Sequence, residues 1–480
     1  MAIQFNEISN LNIPFVYAEL VKSNKVTGTV KQPYTSLIFG QKTATGTAVT
    51  ETILDVFSES QAKVLFGANS MLAHAIGRYF DINKSVSLKV IALDDNAAGT
   101  VSTGDITLTG TATSTGTLSF YINGNVYTAA VAIGDTAAEI ATLITASVNE
   151  NTDEQVTAIA TSGEVGLTSI HKGTYGNELK LRINYNSDES TPLGITSVIT
   201  AMNGGAGNPG LTNTLTILEE NQFNLIAQPY TDNASLILID TALTDNFKAT
   251  EMLDGFCLVG VDDTVTNLTT KTDAINSAFI TVLDNNTVFA TGFEHAAGVI
   301  AKIADNAQSN PGGGYVGFEL FGFLPLTQRI RTERNSLAGG GVSTYTVVGS
   351  SVRFDRTVTT LQKDENAIAV PIDDRDLRVF LTISYVRYSF VSLMSQFQNY
   401  KVGGDDDIFG AGTLVITPNI YKQNLIIIYS QLVTDAVCED LAAFEASIVV
   451  ERVGNRINSS MNINIINVLI QQAMRINYEV

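Results

Sequence analysis

The sequence predicts an α+β multidomain protein, with an α/β core domain interrupted by an inserted β-rich domain, an α+β C-terminal domain and extended arms at both ends. Three observations lead there. Apolar strand-like runs alternate with helix-spaced segments at 36–93 and again at 223–303, the pattern of a largely parallel sheet covered by helices. Between those stretches, after Asp94 and Asp95, the composition turns abruptly to Thr, Gly and Ala. At about 150 residues per domain, 480 residues also suggest roughly three domains.

Taken in order, residues 1–20 form an N-terminal arm in which Ile13, Phe15 and Tyr17 alternate as in a strand. The first part of the middle domain, 21–96, holds a short strand at 36–39. A helical stretch follows at 58–80, with Val64, Leu65, Leu72 and Ile76 at helical spacing and Gly67 splitting it, and then an alternating strand at 86–93. The insert, 97–185, reads as strands at 106–112 and 118–122, an Asn123-Gly124 hairpin turn into 126–131, and further strands at 156–160, 165–170 and 179–183. Thr136 and Glu139 stand at capping-box spacing ahead of Ile140, Leu143, Ile144 and Val148, which marks a helix. Because insertions do least harm in surface loops, this segment is expected to be a separable module.

The second part of the middle domain, 186–365, resumes after the glycine-rich stretch 203–210. It has strands at 223–227, 256–261 and 288–291, with helices carrying Leu236, Leu243 and Phe247, then Leu268, Ile275 and Phe279, then Ile300 and Ile303. From 324 to 369 the pattern is strand and loop. In the C-terminal domain, 366–460, a helix opens at Asp373, with Asp373 and Asp376 favouring its N-terminus, and runs to about 397. Its apolar residues lie on several faces, so it is expected to be buried on more than one side. Thr417-Pro418 starts another helix with Tyr421, Leu425, Ile428 and Leu432 on one face. The run 448–453, including Ile448 and Val450, is β-branched and strand-like. In the C-terminal arm, 461–480, Ile476, Tyr478 and Val480 alternate with Arg475, Asn477 and Glu479. Strands at chain ends need a sheet edge, either in their own chain or in a neighbour's.

Composition bounds the function. Charged residues are only 16% and apolar ones 45%, giving a mean hydropathy of +0.16, which fits a surface largely covered by other subunits. No window has the length of a membrane span and no secretory leader pattern opens the chain, so a cytoplasmically made, soluble protein is expected. Cys257 and Cys438 lie in apolar runs without CxxC spacing and are expected in the core. The net charge of −20 argues against a nucleic-acid partner. That charge is uneven. Residues 1–322 carry −18, whereas 323–480 carry only −2, and 11 of the 14 basic residues there are arginines, among them Arg329, Arg331, Arg334, Arg375 and Arg378. Arginine suits desolvated bidentate contacts with carboxylates, either within the chain or between subunits.

No catalytic, cofactor or metal site is expected. No Gly precedes a Lys, so a Walker A loop is excluded. The glycine clusters at 204–210 and 312–314 lack the strand-to-helix setting of a nucleotide loop. His74, His171 and His295 lack metal-ligand spacing, GxSxG is absent, and Asp405–Asp407 lacks the alternating ligands of a calcium loop.

Several segments taken together resemble the tail sheath proteins of contractile bacteriophages, most closely the Mu-like group. They are Ile13-Pro14-Phe15-Val16, the run Phe66-Gly67-Ala68-Asn69-Ser70-Met71-Leu72, the strand ending Leu93-Asp94-Asp95, the insert with Gly173-Thr174-Tyr175-Gly176-Asn177, the stretch 329–337 and the C-terminal run from Asp376. Their shared order covers nearly the whole chain. The resemblance implies a homo-oligomeric helical sheath around a tail tube, with baseplate and tail terminator proteins as further partners, in a virion tail. It also implies an outward-facing insert, a C-terminal domain nearest the tube, and terminal arms that weave subunits together. Ile13, Phe15, Tyr17, Ile448, Val450, Ile476, Tyr478 and Val480 are then the candidate interlocking residues, and the five arginines are candidate subunit or tube contacts. Non-closing heterologous contacts build such a filament, and two alternative packings let it store free energy and contract. An α/β enzyme, or a tail tube or surface-layer subunit, are the competing readings.

Overall fold

The computed structural model describes residues 31–410 and 412–478, and within them two compact units. The larger takes in Gln32–Arg387 and the C-terminal segment from Ile465. The smaller is centred on Tyr388–Asn464.

The larger unit is organised on an eight-stranded sheet, which runs in space Ser351–Arg356, Val342–Val348, Ile280–Asp284, Phe256–Val261, Leu225–Ala227, Thr35–Gln41, Ser87–Leu93 and Ile53–Val56. Its inner pairs are parallel and only the two edge strands pair antiparallel, as an α/β alternation requires. The central strands Phe256–Val261 and Ile280–Asp284 are buried along their full length, which is why they read as continuous apolar runs and not as alternating ones. Glycine 67 does split the helical stretch. The helix Glu59–Phe66 ends there, Gly67 sits at φ 88°, and Ser70 caps the next helix, Met71–Ile82, by accepting from the Ala73 N–H.

Several expectations are corrected. The strand expected at 288–291 lies instead at Ile280–Asp284, because Asn276 adopts a left-handed conformation and stops the preceding helix at Ile275. That frees the β-branched residues that follow it, and Phe279 is not part of the helix. The stretch expected to be strand and loop contains a helix, Arg331–Gly339. Only Leu337 and Ala338 of it are buried, too few apolar positions to show a period. Another helix, Thr212–Glu220, escaped notice for the same reason. The helix placed at Asp373 begins at Leu377, and Asp376 turns its carboxylate onto the Arg378 N–H.

The insert folds as expected in its parts. The Asn123-Gly124 turn joins Gly116–Ile122 to Asn125–Val131 with both turn residues at positive φ. Thr136 and Glu139 close a reciprocal capping box on the helix Ala137–Glu150. Its second sheet, in the order Ile195–Asn203, Val101–Gly110, Glu164–Lys172, Val156–Thr161, recruits a strand ten residues beyond the expected end at 185. Nor does the insert stand apart from the core. Ile106, Leu118 and Phe120 belong to the same continuous apolar cluster as Ile38, Val90 and Phe293 of the α/β part.

In the smaller unit the helix Pro418–Thr434 starts at the expected Thr417 cap, and Tyr429 stacks on Phe444 of the helix Leu441–Ser447 with 3.7 Å between ring centroids. Val449–Val453 and Arg456–Ser460 form an antiparallel hairpin. Both cysteines are buried and unpaired. Among the described residues, no helix is long and apolar enough to cross a membrane.

Candidate assembly interface

The hairpin Val449–Val453/Arg456–Ser460 is a two-stranded sheet on its own. Neither strand has a second strand partner among the described residues. Such a ribbon is marginally stable in water and offers main-chain donors and acceptors along both edges. Val449 and Val453 are exposed on it, which adds apolar surface to the open edge. Val450 is half-buried. Ile448 is not in the strand at all, since it terminates the preceding helix and is buried in the smaller unit, so it is corrected from acceptor-strand residue to core residue. Ile13, Phe15, Tyr17 and Val480 lie outside the described residues.

Ile476 and Tyr478 are 81% and 84% exposed, and no strand of their own chain pairs with them among the described residues. From Leu469 on, every described residue is exposed. Before it, the segment from Ile466 alternates half-buried and exposed positions and borders a groove of about 870 Å³ in the larger unit.

Four of the five candidate arginines are engaged within the chain. Arg329 makes a two-pronged pair with Asp284, Nε to Oδ2 at 2.8 Å and Nη2 to Oδ1 at 3.1 Å, both side chains being almost wholly buried. Burial pushes the Asp284 carboxyl up while the guanidinium opposes that shift. Arg334 pairs with Asp355 at 2.9 Å. Arg375 donates to the carbonyls of Leu361 and Gly339, and burial pulls its guanidinium down. Arg378 reaches the carbonyl of Ile466 at 3.0 Å. Arg331 alone of the five is exposed with its side chain open to a partner. The arginine signal was real, and for most of the set the carboxylates and carbonyls it sought are in the same chain.

Polar residues of the insert that carried no motif prove to fasten it to the core. The Gln155 amide donates to Glu294 Oε1 at 2.9 Å, and Arg78 pairs with the other oxygen of the same buried carboxylate at 3.2 Å. His171 accepts from the Met71 N–H at 3.1 Å and meets Asp95 at 2.8 Å. Lys180 pairs with Asp262 at 3.1 Å and caps the Val288 carbonyl at 2.7 Å. His295 is fully buried against Tyr345, and desolvation pulls it down to about 3, so it stays neutral. Among the described residues no cluster of His, Cys, Asp and Glu has the makings of a metal site.

Glu178 accepts from the Gly292 N–H at 3.0 Å, and desolvation pushes its carboxyl up to about 8 despite that bond and the nearby Lys180. The folded chain therefore holds a proton there that the unfolded chain releases near 4.5. Stability from this group is full below pH 4.5 and is lost as pH rises through 8, a loss on the order of 3–5 kcal/mol when complete. Glu178→Gln keeps the acceptor without the charge. Urea midpoints of the variant should stay level from pH 6 to pH 9 where those of the native chain fall, and parallel curves would refute the assignment.

Comparison with known proteins gives the family. A family model described as the phage tail sheath protein central domain matches residues 204–360. The Mu-like prophage FluMu tail sheath protein of Haemophilus influenzae is 32% identical over 482 residues, covering 97% of this chain and 97% of that protein. The chain belongs to the phage tail sheath family. It is a structural subunit of a phage tail sheath and so a component of a virion tail. Two solved structures share the fold. The crystal structure of a sheath tail protein from Desulfitobacterium hafniense has 13% identity and a TM-score of 0.50, covering 95% of this chain and 100% of that one. The sheath of the PVC extracellular contractile injection system in its contracted state has 10% identity and a TM-score of 0.51, covering 98% and 99%. The matched model covers most of the α/β sheet of this sheath subunit. The open hairpin and the exposed arm lie outside the matched stretch.

Proposed function

We propose that sheath subunits of this protein are interlocked by exchanged strands and that the resulting polymer encloses a tail tube. The observation that carries the first half is the open-edged hairpin Val449–Val453/Arg456–Ser460 together with an exposed, alternating arm bearing Ile476 and Tyr478. An arm strand added to that edge would satisfy a row of main-chain groups and seat alternate side chains against Val449 or Val453. The other arm, with Ile13, Phe15 and Tyr17, supplies a second such strand, and Val480 extends the first. Arg331, exposed on the larger unit, is proposed as a subunit contact.

In this reading the domain plan is an insert on the outer face of the sheath and a C-terminal domain against the tube. Baseplate and terminator proteins bound the polymer, which assembles in the host cytoplasm. Contraction is a rigid-body rearrangement of subunits that stay tethered by their arms, from a packing trapped on the tube to one of lower free energy. The apolar, weakly charged composition supports assembly without a nucleotide, since no phosphate-binding loop supplies an energy source. Purified protein is expected to form tubes or rings in plain buffer by negative-stain microscopy. A chain that stays monomeric at high concentration, or that assembles only with ATP, would count against it.

A further inference from the structure

We propose that residues 466–470 are an anchor that seats the base of the C-terminal arm in a groove of its own subunit, with Arg378 and Gly314 as the positioning residues. The inference rests on the exchanged-arm reading and adds to it where the arm leaves its owner. The segment is held on both its main chain and its side chains. Arg378 is 5% exposed, and its guanidinium donates to the Ile466 carbonyl at 3.0 Å and to the Gly312 carbonyl at 3.5 Å, so one side chain ties the glycine loop to the tail. A charged donor held this far from water makes those bonds stronger than neutral ones.

Two residues on, Val468 lies against Gly314. A Cβ built on that glycine would come within 2.6 Å of Val468 Cγ1, a distance that no side chain at 314 could keep. Glycine at 314 thus lets the tail lie this close without a shift of Val468. Ile466 and Val468 are half-buried while Asn467 and Leu469 are exposed, the alternation of an extended strand lying on a surface. From Leu469 onward every described residue is exposed, Ile470 to 38%. Holding therefore ends within one or two residues of Ile470.

The anchor fixes the reach of the arm. The eight residues from Gln471 to Tyr478, fully extended, span about 26–29 Å from their seat, whereas release from the groove would add five residues and about 17 Å of slack. A tether that exceeds the distance it must span lowers the effective concentration of its end. Seating the base accordingly favours pairing with a neighbour and directs any pull on the arm into the α/β unit through Arg378.

The test uses the full chain with Gly314→Cys and Val468→Cys. The built Cβ at 314 stands 3.5 Å from the Cβ of Val468, within the range a disulfide accepts, and the two native cysteines are buried. Oxidation should join 314 to 468 within single chains, shown by peptide mass mapping, and the locked protein should form tubes at the same concentration as its reduced form. Failure to cross-link would show that the segment is not seated. Cross-linked protein that no longer assembles, while the reduced form does, would show that the arm must leave the groove, which overturns the anchor and leaves strand exchange standing. If the double variant does not fold, Val468→Arg on the half-exposed tail serves instead. It should raise the concentration needed for tubes at least tenfold with an unchanged melting temperature, and an unchanged assembly concentration would overturn the proposal.

Discussion

Removing residues 475–480 leaves a folded subunit with a nearly unchanged melting temperature and abolishes long tubes. Ile476 and Tyr478 bury almost nothing in their own chain, so their loss takes no apolar area from the isolated fold, and surface changes of this kind stay within about 0.5 kcal/mol. In the polymer the same deletion removes a main-chain-bonded strand and its side-chain seats from every subunit at once. Scanning calorimetry of the unassembled chain and microscopy of the assembled one are the two readouts. A sharp fall in melting temperature with tubes still present would place this strand in its own chain and end the interlocking reading for this arm.

Replacing the insert, 100–203, with a short linker yields no soluble folded protein. The composition of that stretch suggests a detachable module, and the packing says otherwise. Glu294, with 1% of its side chain exposed, would keep its charge and Arg78 but lose Gln155, and the buried Met71 N–H would lose its acceptor. Leaving buried charges and donors short of partners costs about 1–3 kcal/mol each, more for the ions. Phe293 would meanwhile lose the ring of Tyr175, and the shared apolar cluster would lose Ile106, Leu118 and Phe120. Together these losses exceed the about 5–15 kcal/mol by which a domain is stable. Soluble yield and far-ultraviolet dichroism check the outcome. A soluble variant melting within a few degrees of the native chain would mean that the network is decorative.

Much of the secondary structure was legible because its signals are local. A capping box at Thr136 and Glu139, an Asn-Gly turn, a Thr-Pro helix start and the fully apolar strand at 256–261 each depend on a few adjacent residues, and each formed where the sequence placed it. The misses follow from the same fact. Arg331–Gly339 and Thr212–Glu220 are polar helices held by what they pack against, and Ile280–Asp284 is a strand whose start depends on the left-handed Asn276.

By itself the sequence determined the fold class, the α/β alternation, the existence of a β-rich insert and of an arm with alternating apolar residues, and through its resemblance the sheath family. Only the tertiary structure decided which charges meet. Arg329 finds Asp284 across 45 positions, Arg378 finds the tail across 88, and Gln155 finds Glu294 across 139. Pairings of that kind are set by how strands and helices stack in space, and no periodicity of 2 or 3.6 residues along the chain records them. For the same reason the insert could be recognised as foreign in composition yet not as fused in energy, because the residues that fuse it are single polar side chains whose inward direction only the packed core fixes.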